Sequence, residues 1–318
     1  MMNNNFKLVK NISEKIIGNL RSVIIGKENS LKLITIGLFC QGHVLIEDVP
    51  GVGKTVLAKA LAKSIGCVFS RIQFTPDMLP SDVTGVTIYN QSNHEFVFRP
   101  GPLMANIVLA DEINRATPKT QSALLEAMEE RQITVDGNTH RLSNPFLVIA
   151  TQNPIEYEGT FPLPEAQLDR FLIKIDLGYP EINDEINIID AQQYNHPLEK
   201  LDIVASTQDI LICQETIKSI YVSKNIKKYI VDIVRATRDN SDIYLGSSPR
   251  GSLGLFRSSQ ALAAIEGRDF VLPDDIKRLA KNVLVHRIIL NPSIKIKGIT
   301  PELLLDEILN SLPIPITE

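Results

Sequence analysis

The sequence contains few of the residues that build disulfide frameworks or metal centres. Its three cysteines, Cys40, Cys67 and Cys213, lie far apart and form no CxxC pair, and its five histidines are scattered. This spacing argues against a disulfide-rich secreted domain and against a transition-metal site built by the protein itself. Cysteines of this kind suit a reducing cytoplasm.

The chain also lacks segments that would direct it to a membrane. The first ten residues are rich in Asn and Lys with no apolar stretch behind them, which does not fit a signal peptide. The longest apolar runs, such as residues 146–150, are far too short to cross a bilayer. We therefore expect a cytoplasmic protein without membrane insertion.

A dense basic tract is missing as well. Lys and Arg total 33 against 37 Asp and Glu, so the formal net charge is −4. Proteins that track a nucleic acid need several cationic contacts to its phosphates. We therefore do not expect a nucleic-acid partner. The chain does have material for a large core, because 44% of its 318 residues are hydrophobic.

The apolar pattern predicts an α/β fold. From about residue 6 to residue 179, short apolar runs alternate with helical patterns, and several runs are continuous, as in strands buried on both faces. This alternation predicts a parallel sheet between helices, an αβα arrangement. The runs expected to form its strands are 43–46, 69–74, 107–110, 146–150 and 171–175.

Two segments interrupt the alternation, and a second domain follows it. Residues near 83–98 and 132–142 are expected to form β-hairpins inserted in the first domain, which we place at 1–180. After Pro180 strand signals are few, and Ile182, Ile186 and Ile189 repeat at helical spacing. We therefore expect a smaller, all-helical lid domain at 181–318.

The strongest chemical signal is a glycine-rich segment between the first predicted strand and a helical stretch. Backbone N–H groups of such a loop surround phosphate oxygens, a lysine reaches the β- and γ-phosphates, and a Ser or Thr hydroxyl binds Mg²⁺. We predict that this loop, called the P-loop below, binds ATP through Val49, Pro50, Gly51, Val52, Gly53, Lys54, Thr55 and Val56. The strict pattern begins with Gly, and Asp48 stands there instead. Asp tolerates left-handed backbone better than most residues, so we interpret the departure as mild.

Two carboxylates follow the strand predicted at 107–110. Asp111 would hold Mg²⁺ through water, and Glu112 would polarise the attacking water. Acidic residues after strands are common, so this pair indicates a functional site only because the P-loop precedes it. Together the two motifs predict the two halves of one hydrolytic site.

Three further residues are candidates for the same site. Asn153, in Thr151-Gln152-Asn153-Pro154, follows the strand predicted at 146–150 and could hold water near the γ-phosphate. Arg170 comes just before the last predicted core strand. Arg250, in Ser248-Pro249-Arg250, lies in the first turn of a predicted helix. Isolated arginines are usually surface charges, so the functional interpretation of Arg170 and Arg250 depends on their positions relative to the other motifs.

In order, the segments GVGKT, ADEINRA, TQNP, EAQLDRF and SPRG resemble the MoxR family of AAA+ ATPases, from about residue 23 to residue 287. The resemblance implies an AAA+ core with a helical lid. It implies phosphate and Mg²⁺ roles for Lys54 and Thr55, and a second motif at Asp111 and Glu112. It also implies roles outside these two motifs: first sensor for Asn153, arginine finger for Arg170, and second sensor for Arg250.

The same resemblance implies a homo-oligomeric, hexameric ring that hydrolyses ATP to remodel or mature a partner protein. Because the chain has no von Willebrand factor A domain, a separate protein with that domain is the expected partner. Magnesium chelatase motor subunits and replicative helicases resemble the same branch, so a chelatase-type motor and a nucleic-acid helicase or translocase remain alternatives. A nucleotide-binding scaffold with little hydrolysis fits less well, because Glu112 and Arg170 are retained.

Overall fold

A computed structural model describes residues 2–153, 159–194 and 196–315. The chain divides into two compact units. The sheet unit comprises Lys15–Leu163 and Ile175–Leu211, and the helical unit comprises Met1–Glu14, Pro164–Lys174 and Ile212–Glu318. Each unit combines separate segments of the chain, so the two units do not meet at a single boundary near residue 180. The boundary between folding domains at 180/181 therefore stays a prediction.

The elements follow one another with strands concentrated in the first half of the chain. The strands are β1 Val44–Glu47, β2 Phe69–Gln73, β3 Gly85–Asn90, β4 Glu95–Pro100, β5 Ile107–Asp111, β6 Gln132–Val135, β7 Asn138–Arg141, β8 Leu147–Gln152, β9 Ile173–Ile175, β10 Ile243–Leu245 and β11 Ile289–Leu290. The helices are α1 Met2–Arg21, α2 Glu28–Phe39, α3 Lys54–Ser64, α4 Pro80–Thr84, α5 Pro118–Glu130, α6 Glu165–Leu168, α7 Ile182–Gln192, α8 Thr207–Ile217, α9 Lys224–Asp239, α10 Pro249–Ile265, α11 Pro273–Leu284, α12 Pro292–Ile296 and α13 Pro301–Ser311.

A five-stranded sheet has the strand order β2-β5-β8-β1-β9. The pairs β2–β5, β5–β8 and β8–β1 are parallel, and every residue of β5 from Ile107 to Ala110 is buried. Strands covered on both faces need such continuous apolar runs. The predicted α/β fold with a parallel sheet is thus confirmed, and all five predicted runs contribute a strand to it.

The two predicted hairpins are present outside this sheet. β3 pairs with β4 and β6 pairs with β7, both antiparallel. The second hairpin turns at Asp136 and Gly137, whose φ angles of 49° and 79° suit a tight two-residue turn. The Phe98 ring of the first hairpin stacks on the His140 ring of the second, with centroids 3.9 Å apart.

A buried histidine fixes the start of β1. His43 Nδ1 accepts a hydrogen bond from the Val148 backbone N–H, so Nε2 carries the proton and donates to the Met128 carbonyl, both at 3.0 Å. Burial lowers the pKa of His43 to about 3, and its imidazole is therefore neutral. The ring joins β1 to β8 and to the end of α5.

The region after residue 180 is mainly helical, as predicted, and includes α9, α10 and α11; the short antiparallel pair β10–β11 is the part that the all-helical prediction did not include. α9 buries one face, which includes Ile226, Ile230 and Ile233, and α10 begins with Ser248 at its N-cap and Pro249 at its first position. α7 also forms, but it leaves its repeated isoleucines exposed. Among the described residues, no helix is both long enough and apolar enough to cross a membrane.

Candidate active site

The carboxyl ends of three neighbouring strands in the sheet unit meet at a cleft of about 340 Å³, called the nucleotide cleft below. β8 lies between β1 and β5, and the three strands are parallel. The segments that follow them must therefore converge at one edge of the sheet. The residues that line the cleft are Pro50, Gly51, Gly53, Lys54, Thr55, Val56, Arg71, Asp111, Glu112, Thr151 and Asn153.

The P-loop adopts a conformation that only glycine accommodates easily. Gly51 and Gly53 have φ angles of 87° and 90°, in the left-handed region. Gly53 is the N-cap of α3, and no side chain there bonds the N–H groups of the first helical turn. The N–H groups of Lys54, Thr55 and Val56 therefore remain free of intrahelical partners and can bind an anion.

Lys54 lies at the floor of this loop. Its Nζ donates a hydrogen bond to the Asp48 carbonyl oxygen at 2.6 Å. Burial lowers the pKa of Lys54, while the negative charges of Asp48, Asp111 and Glu112 act in the opposite direction. The ammonium group is thus bound to a backbone carbonyl and influenced by three carboxylate charges, in the cleft where phosphate oxygens are expected.

Asp48 occupies the position of the glycine in the strict pattern without a left-handed backbone. The described non-glycine residues with positive φ are Gln41, His94, Glu112, Arg131 and Asp136, so tolerance of left-handed backbone is not what allows Asp48 at this position. Its side chain is buried, and its carboxylate accepts three backbone hydrogen bonds instead.

Asp111 and Glu112 are held by neighbours on other strands. The Asp111 carboxylate accepts a hydrogen bond from Thr151 Oγ1 at 2.6 Å and pairs with Arg71 at 2.7 Å. Glu112 Oε2 accepts from Gln73 Nε2 at 2.8 Å. The Glu112 backbone has a φ of 57° and donates to Thr151 Oγ1. Such a strained conformation for a residue other than glycine is frequent at functional sites.

Two protein-family models match parts of this chain. Residues 43–173 match the family described as "ATPase family associated with various cellular activities (AAA)", and residues 235–308 match "AAA lid domain". The chain is 42% identical to Chaperone MoxR1 of Mycobacterium tuberculosis, over 95% of this chain and 82% of that one. The chain belongs to the MoxR family of AAA ATPases. As such an enzyme it binds and hydrolyses ATP, and its fold is an AAA core with a helical lid.

Two further relatives show that the likeness extends over nearly the whole chain. The protein YeaC of Bacillus subtilis, itself uncharacterized, is 53% identical over 95% of this chain and 94% of its own length. A crystal structure from Cytophaga hutchinsonii superimposes with a TM-score of 0.91 at 39% identity, and covers 98% of both chains.

The two predicted arginines of this MoxR-family ATPase lie in the helical unit. Arg170 is half-buried just after α6, and Arg250 is exposed in the first turn of α10. Asp169 connects their surroundings, because its Oδ2 accepts from Ser248 Oγ at 2.8 Å and its Oδ1 pairs with Arg287 Nε at 2.8 Å. How Arg170 and Arg250 approach a nucleotide stays a prediction.

Two residues near the nucleotide cleft were missed by the sequence interpretation. Arg71 and Gln73 lie on β2, and Gln73 is in register with Asp111 on β5. Polar residues near a strand end were the only available signal, and that signal is weak without the strand order. Val49 and Val52 belong to the P-loop but are not among the residues that line the cleft.

We expect the Arg287→Met variant to lose about 3–5 kcal/mol of unfolding free energy, because it leaves the Asp169 carboxylate without its buried partner. The Arg287 side chain is only 3% exposed and also donates to the Phe171 and Leu172 carbonyls. Urea unfolding followed by circular dichroism measures the loss. The control is Arg278→Met, which breaks a half-exposed pair with Glu266 of similar length, 2.7 Å, worth about 0–1 kcal/mol. Equal losses in the two variants would contradict the structural role of the Arg287 pair.

Proposed function

We propose that this ATPase works as a homo-oligomeric, hexameric ring that uses Mg²⁺-dependent ATP hydrolysis to remodel or mature a partner protein. The observation that carries the proposal is the nucleotide cleft, in which the P-loop, Asp111, Glu112 and Asn153 line one volume. The relative MoxR1 bears the name of a chaperone, which supports the protein-remodelling part of the proposal. A separate protein with a von Willebrand factor A domain is the proposed partner.

The residues of the cleft suit a bound Mg²⁺ ion. Thr55 and Asp111 bring hydroxyl and carboxylate oxygens to the same cleft, and oxygen atoms are the ligands that Mg²⁺ prefers. When bound, the ion supplies positive charge against the β- and γ-phosphate oxygens. Arg71 contacts Asp111 Oδ2 at 2.7 Å and therefore lies beside the proposed Mg²⁺ and phosphate sites. It can exchange Asp111 for a phosphate oxygen when nucleotide binds.

Hydrolysis in this proposal depends on the orientation of one water molecule. Glu112 accepts a proton from the attacking water and orients it toward the γ-phosphorus, while Gln73 and Thr151 hold the glutamate in place. Asn153, which lines the same cleft, provides a side-chain amide for the same water or for a γ-phosphate oxygen. Lys54 and the N–H groups of the P-loop hold the phosphates during transfer.

The negative charge on the γ-phosphate oxygens needs further compensation. We assign this role to Arg170 of a neighbouring copy, acting as an arginine finger. Arg250 is proposed as a second sensor of the nucleotide, in its own copy or in a neighbour. A contact between unlike faces of identical subunits closes into a ring when the rotation permits it.

The class of partner separates this proposal from a nucleic-acid motor. The hairpin β6–β7 and its flank carry Arg131, His140 and Arg141 as basic groups. The His140 ring stacks on Phe98, and Arg131 donates to the Gln41 carbonyl. Arg141 is the one exposed group of these three, so the hairpin offers few cationic groups to phosphates.

We therefore expect single- and double-stranded DNA and RNA to change the ATPase rate by less than about twofold at physiological salt, since tight binding requires several phosphate contacts. The measurement is the steady-state rate against nucleic-acid concentration at two salt concentrations. The Arg141→Gln variant is the control, because it should match the wild type at every concentration. A severalfold stimulation that falls with salt and disappears in Arg141→Gln would move the function to the helicase class.

A further inference from the structure

Asp48 receives three backbone hydrogen bonds on one buried carboxylate. Its Oδ1 accepts from the Val49 N–H at 2.8 Å, inside the P-loop. Its Oδ2 accepts from the N–H groups of Leu177 and Gly178 at 2.7 and 2.6 Å. The residue is 8% exposed, and the bond from Leu177 is buried while the other two are partly buried. Hydrogen bonds to an ionised acceptor are about twice as strong as those between neutral groups.

The two distant donors come from a segment well suited to bind an anion. Leu177 and Gly178 follow β9, about 130 residues after Asp48 in the sequence. Gly178 has a φ of 61°, and successive N–H groups around a left-handed residue can face one oxygen. The carboxylate therefore joins the first residue of the P-loop to the chain that leaves the last strand of the sheet.

The main chain of the same residue contacts the lysine of the P-loop. The Asp48 carbonyl oxygen accepts the hydrogen bond from Lys54 Nζ at 2.6 Å. A shift of Asp48 would thus move both the entrance of the P-loop and the acceptor against which the ammonium group rests. Burial lowers the pKa of Lys54, and the charge of Asp48 opposes part of that effect.

We propose that Asp48 is a positioning residue that anchors the P-loop to residues 177–178 and thereby places Lys54 for the phosphates of ATP. This inference rests on the proposed role of Lys54 in nucleotide binding. It also explains why the chain departs from the glycine of the strict pattern. Glycine offers no acceptor to the N–H groups of Val49, Leu177 and Gly178, and Asp48 does not use the left-handed backbone that would require glycine.

The substitution Asp48→Gly tests the proposal sharply, because it restores the strict P-loop pattern and removes the anchor. We expect a KM for ATP and a Kd for a fluorescent ADP analogue at least tenfold higher, with kcat lowered less than threefold. Asp48→Asn keeps one oxygen for Leu177 and Gly178 but turns an amide toward Val49 N–H or loses that contact. Its expected increase in Kd is about twofold to fivefold.

Two controls separate an effect on nucleotide from a general loss of stability. Asp82→Gly removes another carboxylate of the sheet unit, which accepts the Leu79 N–H at 2.8 Å away from the cleft, and should leave the Kd unchanged. Lys54→Ala tests the underlying assignment. If Lys54→Ala binds the ADP analogue like the wild type, the proposed phosphate role of Lys54 fails, whatever Asp48→Gly does.

If Lys54→Ala binds weakly but Asp48→Gly keeps the Kd of the wild type, only the anchoring role of Asp48 is overturned. The same conclusion follows if Asp48→Gly lowers the thermal midpoint without a change in Kd. Should Asp48→Gly fail to fold, Asp48→Asn decides: an increase in Kd greater than that of Asp82→Asn supports the anchor, and an equal Kd overturns it.

Discussion

Replacing Glu112 by Gln is expected to lower kcat for ATP hydrolysis by about 10²–10⁴-fold and to leave the affinity for ATP nearly unchanged. The amide has the size of the carboxylate and keeps one oxygen for the Gln73 Nε2–H that now contacts Oε2 at 2.8 Å. It cannot accept a proton from water at neutral pH. The lost function is therefore that of the base, while the P-loop and Lys54 still hold the phosphates.

Steady-state phosphate release gives kcat, and binding of a fluorescent ATP analogue gives the affinity. Glu126→Gln is a suitable control, since Glu126 is an exposed glutamate on α5 and does not line the cleft. It should hydrolyse ATP like the wild type. A Glu112→Gln enzyme that turns over within threefold of the wild type would exclude Glu112 as the group that activates water.

The Arg170→Ala variant is expected to lose about 10³–10⁵-fold in kcat, equivalent to about 4–7 kcal/mol of barrier, because no other charge replaces an arginine finger. Lys54→Ala should be inactive for a different reason, since it does not hold ATP. In the proposed ring, Arg170 acts on the nucleotide of a neighbour. An equimolar mixture of the two variants should then regain part of the wild-type activity, at interfaces that join an intact P-loop to an intact Arg170.

Subunit mixing requires that both variants assemble and exchange. Mass photometry establishes the number of 35.4 kDa subunits in each oligomer, and wild-type subunits mixed with either variant show whether exchange occurs. Arg257→Ala, an exposed arginine on α10, should remain active alone. If both variants assemble and exchange with the wild type but their mixture stays inactive, Arg170 does not act across a subunit boundary.

Parts of the site whose geometry is local could be predicted from the residues. The left-handed angles of Gly51 and Gly53 occur in one turn between a strand and a helix, and the glycine pattern specifies that turn. Asp111 ends a continuous apolar run, so its place at a strand end was also visible. The parallel arrangement then brings these strand ends to one edge, where Gly51, Gly53 and Asp111 line the same cleft.

The partners of the site residues could not be predicted in this way. Arg71 and Gln73 contact the two carboxylates because β2 lies beside β5, and many strand orders are compatible with the same apolar runs. Asp48 illustrates the same difficulty. The P-loop pattern around Asp48 suggested that its backbone conformation explains the departure from glycine. The structure shows instead that its side-chain Oδ2 accepts hydrogen bonds from N–H groups about 130 residues away.

The sequence by itself determined the α/β fold, the P-loop and the strand-end carboxylates, because each follows from residues close together in the chain. The tertiary structure alone decided which charged side chains are buried and which residues they contact. Arg278 and Arg287 look alike as residues, yet the first side chain is 50% exposed and the second only 3%. Burial makes the second pair costly to break, and it results from packing between segments 118 residues apart, which no local pattern encodes.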